Sequence, residues 1–290
     1  MTGRTLPAAE SQHPDDLNPP EPIRVLELFP SERAALIELL ASLQAAAWDQ
    51  PTVCPGWSVK DLVAHLLADD LARLSDGRDG QRMPGPRHGE SLASYINRRN
   101  EEWVAAARRL SPRTLRMLLG VTGPATRAWF ESLDLHSAGA VVSWAGPDPA
   151  PVWLDLAREF TERWHHHQQI RDAVGAAPLN EPRLLRPVLE TFAFALPQTF
   201  RELEAVEGTT VSLSIEGPSG GAWTVVRRAA RWLLRTGEPV RPTARVTIDE
   251  DAAWRLFTKG ISPGRAAAAA RLEGDQGLAS RVLRTVAIIA

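Results

Sequence analysis

The 290-residue chain has one cysteine, one tyrosine, two lysines and almost no net charge. Each scarcity excludes something. With Cys54 alone, no intrachain disulfide can form, and zinc or redox sites of the CxxC kind are ruled out. A balance of 33 basic against 35 acidic residues lacks the basic excess that a general nucleic-acid binder needs to neutralise phosphates. No segment approaches the roughly 18 apolar residues of a membrane span. The first 22 residues lack an apolar h-region, so no secretory signal is read there, and a cytoplasmic location is expected. What is present is a 44% hydrophobic composition, which excludes a disordered or collagen-like chain. At roughly 150 residues per domain, the length predicts about two domains.

Apolar spacing and turn residues outline the organisation. Residues 1–22 carry five prolines and few apolar side chains, and read as a flexible tail. Leu36, Leu39, Leu40 and Leu43 recur at helical spacing within 31–48. After the turn-rich stretch Pro51-Thr52-Val53-Cys54-Pro55-Gly56-Trp57, Ser58 and Asp61 form a variant capping box, which starts a helix near Val59 that runs to about Leu74. Residues 77–89 are a Gly/Pro/Arg loop. Helices are predicted over 91–110, 124–133 (after a turn at 114–119), 151–174 and 182–206, the last kinked at Pro187 and Pro197. Beyond Gly208 the texture changes. Residues 209–215, 223–226 and 244–248 read as strands, and 251–259, 262–270 and 278–289 as helices.

The expected fold class is therefore α followed by α+β: a helical bundle over 23–207 and a small α+β domain over 208–290. Charge divides at the same point. Up to residue 207, 21 basic and 28 acidic side chains give −7, and 12 against 7 thereafter give +5. Opposite signs favour docking of the two lobes and attraction of carboxylates, or are simply two ordinary surfaces.

Seven histidines are available for chemistry: His13, His65, His88, His136 and the run His165-His166-His167. Three consecutive histidines on a helix point in three directions, so they cannot share one site. Glu162 and His166, four apart, lie on one face and suit a borderline divalent metal such as zinc. Glu162 with His165 is a competing pair. His65, set among Leu62, Val63, Leu66 and Leu67, is either a third ligand or a hydrogen-bonded core histidine. Asp69 is either an acceptor for the His65 ring or a solvated helix residue. Trp153, Leu156, Phe160 and Trp164 form the apolar stripe of the later helix, and Glu162 and His166 fall off it. Spacing alone leaves open whether that pair is a metal site or a surface feature.

The stretch Cys54-Pro55-Gly56-Trp57-Ser58-Val59-Lys60-Asp61-Leu62-Val63-Ala64-His65-Leu66 resembles the signature of the mycothiol-dependent maleylpyruvate isomerase family. Glu162-Arg163-Trp164-His165-His166 is similar to that family's second motif, and Gly274-Asp275-Gln276-Gly277-Leu278-Ala279 to part of its C-terminal domain. The resemblance covers most of 30–290. It implies a DinB-like four-helix bundle followed by a sterol-carrier-like α+β domain, with a divalent metal, usually zinc, on His65, Glu162 and His166. It also implies mycothiol as the thiol cosubstrate. A metal-bound thiolate would then add to an electrophilic small molecule, giving S-transfer or cis–trans isomerisation. One position departs from the pattern: Gln169 stands where the family often has an Asp.

Three protein ligands leave a coordination position open, the mark of a catalytic site. Metal coordination deprotonates a thiol that is otherwise mostly protonated near neutrality. Arg227, Arg228, Arg231 and Arg235 are candidates to hold a substrate carboxylate. Cys54, with no histidine adjacent in sequence, reads as a small buried residue rather than the nucleophile. Two other functions remain: a hydrolase in which the same metal activates water, and a non-catalytic binder of an apolar ligand. A monomer or weak homodimer, without nucleic acid or membrane, is expected.

Overall fold

The structure, a computed structural model, describes residues 13–288. Residues 1–12 of the expected tail, and Ile289 at the end of the last predicted helix, lie outside them. Helix α1 (Phe29–Ser42) stops earlier than predicted, and 45–49 follow as a 3₁₀ turn. Helix α2 (Val59–Ala72) begins on the capping box: Ser58 Oγ accepts the Asp61 amide, and the Asp61 carboxylate accepts the Ser58 amide. Ser91 caps α3 (Leu92–Ala107), and Ser111 caps α4 (Pro112–Glu131). The last of these is one helix where two pieces are predicted. Pro124 removes one backbone bond, but Leu115, Leu119, Thr122, Thr126 and Phe130 keep a single buried face across it. A two-stranded ribbon, β1 (Ala138–Val141) and β2 (Pro149–Pro151), leads into α5 (Val152–Val174). Gly175, at φ 66°, closes α5 in the left-handed conformation that glycine adopts without strain.

By their contacts, the described residues fall into two units. The helical unit comprises 24–140 and 149–184, and α1, α2, α4 and α5 pack against one another within it. Leu36, Leu40, Leu62, Leu66, Leu115, Leu119 and Ile170 form its apolar centre. The Asp70 carboxylate joins all four of these helices. Its Oδ2 accepts from Arg33 on α1 and Thr122 on α4, both at 2.7 Å, and its Oδ1 accepts from Arg163 on α5 at 3.0 Å. Arg163 continues to Glu159 at 2.6 Å, which also binds Arg73 at 2.8 Å.

The second unit comprises 13–23, 141–148 and 185–288, so the division at 207 read from the sequence falls inside it. The helix predicted over 182–206 is divided into α6 (Pro182–Ala193) and α7 (Leu196–Phe200). A five-stranded sheet follows, built of β3 (Thr210–Glu216), β4 (Gly221–Arg228), β5 (Arg231–Thr236), β6 (Ala244–Asp249) and β7 (Arg271–Gly274) in the order β5-β4-β3-β6-β7. All pairings are antiparallel except β3 with β6. Helices α8 (Glu250–Phe257), α9 (Pro263–Ala269) and α10 (Gln276–Val282) complete this unit.

Neither β5 nor β7 is predicted. In β5 only Trp232 and Leu234 point inward, too short an alternation to stand out between arginines. Residues 13–23 are anchored to this sheet. Leu17 and Ile23 are buried, Thr236 donates its amide to the Asn18 carbonyl at 2.9 Å, and Asp15 pairs with Arg228. A short segment with few apolar residues can still dock when an edge strand offers unpaired backbone groups. Among the described residues, no helix is long and apolar enough to cross a membrane.

Candidate metal centre

The turn before α2 is fixed from both sides. Pro51 and Ser58 form an antiparallel bridge, Thr52 Oγ1 donates to the Trp57 carbonyl at 2.9 Å, and Gly56 takes φ 79°. That geometry lays the Trp57 ring 5.3 Å from the His65 ring, two turns into α2. Its indole N–H donates to Glu101 at 2.9 Å. His65 is buried, with Nε2 3.5 Å from Glu162 Oε1 on α5. His166, one turn beyond Glu162, brings its own Nε2 to 3.1 Å from the same oxygen.

His65, Glu162 and His166 thus each offer a ligand atom, all within 4.8 Å of one another. Ligands at zinc distances of about 2.0–2.2 Å in a tetrahedral array lie about 3.4 Å apart, close to both separations from Glu162. The electrostatics favour a cation here. Burial pushes the Glu162 carboxyl up, but contacts with His166 and His65 outweigh it and hold the group well below the usual carboxylate range. Burial likewise opposes charge on His166, yet its contacts with Cys54 and Glu162 hold its pKa well above the ordinary histidine value. A site that retains a proton this firmly stabilises positive charge in general, and a divalent ion carries more of it. His65 Nδ1 is buried without a protein partner, leaving the ring held by its Nε2 side.

The three consecutive histidines do not all share one site, but two of them meet the same side chain: His165 and His166 both contact Gln169, with ring centroids 4.8 Å apart, while His167 turns to α1. His165 Nε2 meets the Gln169 amide nitrogen at 2.7 Å, and His167 Nδ1 meets Glu32 at 2.9 Å. Burial, with the neighbouring His166 charge, depresses the His165 pKa to about 3, so that ring is neutral. Its Nε2 partner is Gln169. Asp69 Oδ2 lies 3.8 Å from His65 Nε2, beyond hydrogen-bond range, on the ring's ligand side and not at Nδ1.

Gln169 supplies what spacing did not reveal. Its Oε1 lies 2.7 Å from His166 Nδ1 and accepts the Cys54 thiol at 3.4 Å. A carbonyl oxygen only accepts, so Nδ1 of His166 carries a proton, and Nε2, which holds the second proton while the ring is charged, is the nitrogen that would turn its lone pair to a cation beside Glu162 and His65. The Gln169 amide nitrogen donates to His165, a bond that an aspartate could not make. Cys54 lacks a histidine adjacent in sequence but contacts this histidine-supporting layer in space. Replacing Gln169 with leucine is expected to weaken metal affinity by about 10–100-fold, read by competition with a chromophoric chelator, because the His166 ring loses its orienting acceptor.

The four candidate arginines of the second unit have partners of their own in part: Arg228 pairs with Asp15, Arg227 lies 5.9 Å over Trp232, and Arg235 donates to the Leu234 carbonyl. The signal for the buried ionic network was present as charges of both signs at 155, 158, 159 and 163 on the buried α5. Its partners on other helices were not.

Fold and site together define a two-unit protein whose helical unit gathers a His–Glu–His triad from two helices. Residues 29–171 match the mycothiol maleylpyruvate isomerase N-terminal domain, and the chain belongs to that family. A crystal structure of the mycothiol-dependent maleylpyruvate isomerase has the same fold, with a TM-score of 0.52 at 16% identity over 86% of this chain and 91% of that one. A mutant of that enzyme gives a TM-score of 0.51 at the same identity and coverage. Uncharacterized proteins from two strains of Mycobacterium tuberculosis are 26% identical over 201 residues, 67% of this chain and 73% of theirs.

Proposed function

We propose that this chain is a metal-dependent, mycothiol-using enzyme that attacks an electrophilic small molecule, by S-transfer or by isomerisation of the maleylpyruvate isomerase type. In this reading the helical unit is a DinB-like four-helix bundle and the sheet-containing unit is sterol-carrier-like. The observation that carries it is the convergence of His65, Glu162 and His166 on one point. These residues would hold a divalent ion, zinc by donor set, with fewer protein ligands than a closed structural site. Such an ion, when bound, supplies Lewis acidity that converts a coordinated thiol to its nucleophilic thiolate.

The rest is the work of this chain's own side chains. Glu162 supplies negative charge between the two imidazoles, and Gln169 fixes the His166 tautomer. The Trp57 ring covers one side of His65 and limits water around it. Cys54, hydrogen-bonded to Gln169, acts in orientation and leaves the reacting thiol to a small molecule.

The test is dependence on metal and thiol together. About one zinc per chain and product formation that requires mycothiol are expected. Full-rate turnover without a low-molecular-weight thiol would instead indicate a metal-dependent hydrolase. A fully folded chain that takes up no divalent metal would overturn the enzyme reading.

A further inference from the structure

Helix α4 turns one stripe to solvent, and that stripe runs from Arg113 to Glu131. Between these two ends its exposed residues are Met117, Gly120, Val121, Pro124 and Ala128, without one polar side chain. At about 100° per residue, they and the two charged ends fall within a sector of about 100°, and the apolar part is about 17 Å long. The solvent-facing stripe of a surface helix is ordinarily polar. Here Met117 and Val121 are 61% and 66% exposed, and no part of the described chain covers them. A Cβ built on Gly120 would meet no atom within 4 Å, so the helix backbone is open to close approach there. Beside the stripe, between α1 and α4, lies a recess of about 270 Å³ whose wall includes Ala34, Ile37, Gly120 and Pro124. Projecting side chains and recess share one face.

The charges at the two ends run against the helix's own dipole. Arg113 lies in the first turn, where a cation is unfavourable, and Glu131 is the last residue, where an anion is. Glu131 has Arg127 beside it on the helix at 2.6 Å, whereas Arg113 and the neighbouring Arg116 have no carboxylate partner among the described residues. A second α4 laid antiparallel offsets both ends at once. A two-fold axis beside residue 122 sets Arg113 of each copy against the partner's Glu131, and Gly120 of each against the partner's Pro124. We propose that this face joins two copies of the chain in an isologous dimer, with their α4 helices antiparallel. A two-fold contact needs one self-complementary surface. The stripe is such a surface: positive at one end, negative at the other and apolar between, with a recess beside its projecting Met117 and Val121. A lipid surface would instead favour cationic residues along the flanks, and Glu131 does not suit it. The inference is independent of the function proposed for the triad.

The test is analytical ultracentrifugation of the full chain from about 1 μM to about 1 mM. One helix pair with its flanking recess is at the small end of specific interfaces, so a reversible dimer with a Kd on the order of 10 μM is expected. Val121→Asp should weaken it about a hundredfold or more, because the two-fold axis puts two unpaired carboxylates into the apolar contact. Val121 is exposed, so that variant should keep its circular dichroism spectrum and metal content. Arg113→Glu should weaken the dimer roughly tenfold, and adding Glu131→Arg to it should restore the wild-type constant, since the exchanged charges again meet their opposites. A chain that stays monomeric to about 1 mM, a dimer unmoved by Val121→Asp, or a charge exchange that restores nothing would each overturn the proposal. A monomer that cosediments with phosphatidylglycerol vesicles would overturn it too, and would assign the face to a lipid surface.

Discussion

Replacing His166 with alanine is expected to lower bound zinc from about one per chain to nearly none, and to take thiol-dependent turnover down with it. His166 is one of only three converging donors, and two protein ligands hold zinc far less tightly than three. The helix itself should survive. His166 lies off the apolar stripe that holds α5 in place, and alanine is the best helix former. Metal analysis by mass spectrometry and far-ultraviolet circular dichroism on the same sample separate the two effects. His65→Ala should behave alike, although His65 stands on a different helix, 101 residues earlier in the chain. Equal metal loss from both is the result that a shared site requires. Retention of metal by both variants would remove the triad from the mechanism.

The second large effect is on stability. Asp70→Asn keeps the shape of the side chain and removes the charge that faces Arg33 and Arg163, both buried. Arg163 retains Glu159, and Arg33 retains only the Leu119 carbonyl at 3.0 Å. Breaking a buried pair from one side costs about 3–5 kcal/mol, because a charge is left uncompensated in a dry interior. At roughly 2–4 °C per kcal/mol for a unit of this size, the melting temperature should fall by about 6–20 °C. The double replacement Arg33→Met with Asp70→Leu is expected to recover most of the loss, since it removes both charges and keeps the volume.

The same carboxylate predicts the pH dependence. Burial pushes the Asp70 carboxyl up, but Arg33 and Arg163 outweigh it and hold its folded pKa below the unfolded value of 3.8. Glu159 is held low in the same way, against its own burial, by Arg73, Arg158 and Arg163. Their contribution is therefore complete above the unfolded carboxylate range and is lost as pH falls from about 4 toward the folded values. Acid titration of wild type against Asp70→Asn should show a shallower loss for the variant in that window.

Local patterns made part of this molecule readable. Ser58 and Asp61 mark the start of α2, because a capping box is complete within four residues. Gly175 marks the end of α5 for a similarly local reason. Glu162 and His166 could be paired on one face because helical periodicity fixes their spacing. By contrast, β5 leaves little trace in the sequence because its inward positions are few, and α4 reads as two pieces because Pro124 is a local signal that packing on both sides overrides.

By itself, then, the sequence determined the capped helices, the strand-bearing C-terminal texture, the absence of disulfides and the candidate donors. All of these depend on neighbours within a few residues. Only the tertiary structure decided that His65 Nε2 lies 3.5 Å from Glu162, that Gln169 sets the His166 tautomer, and that Asp70 ties four helices together. Those contacts join groups up to 97 residues apart or depend on which rotamer the surrounding packing allows. No local pattern encodes them, since they exist only once burial has brought the helices to one another and made an unpaired polar atom costly.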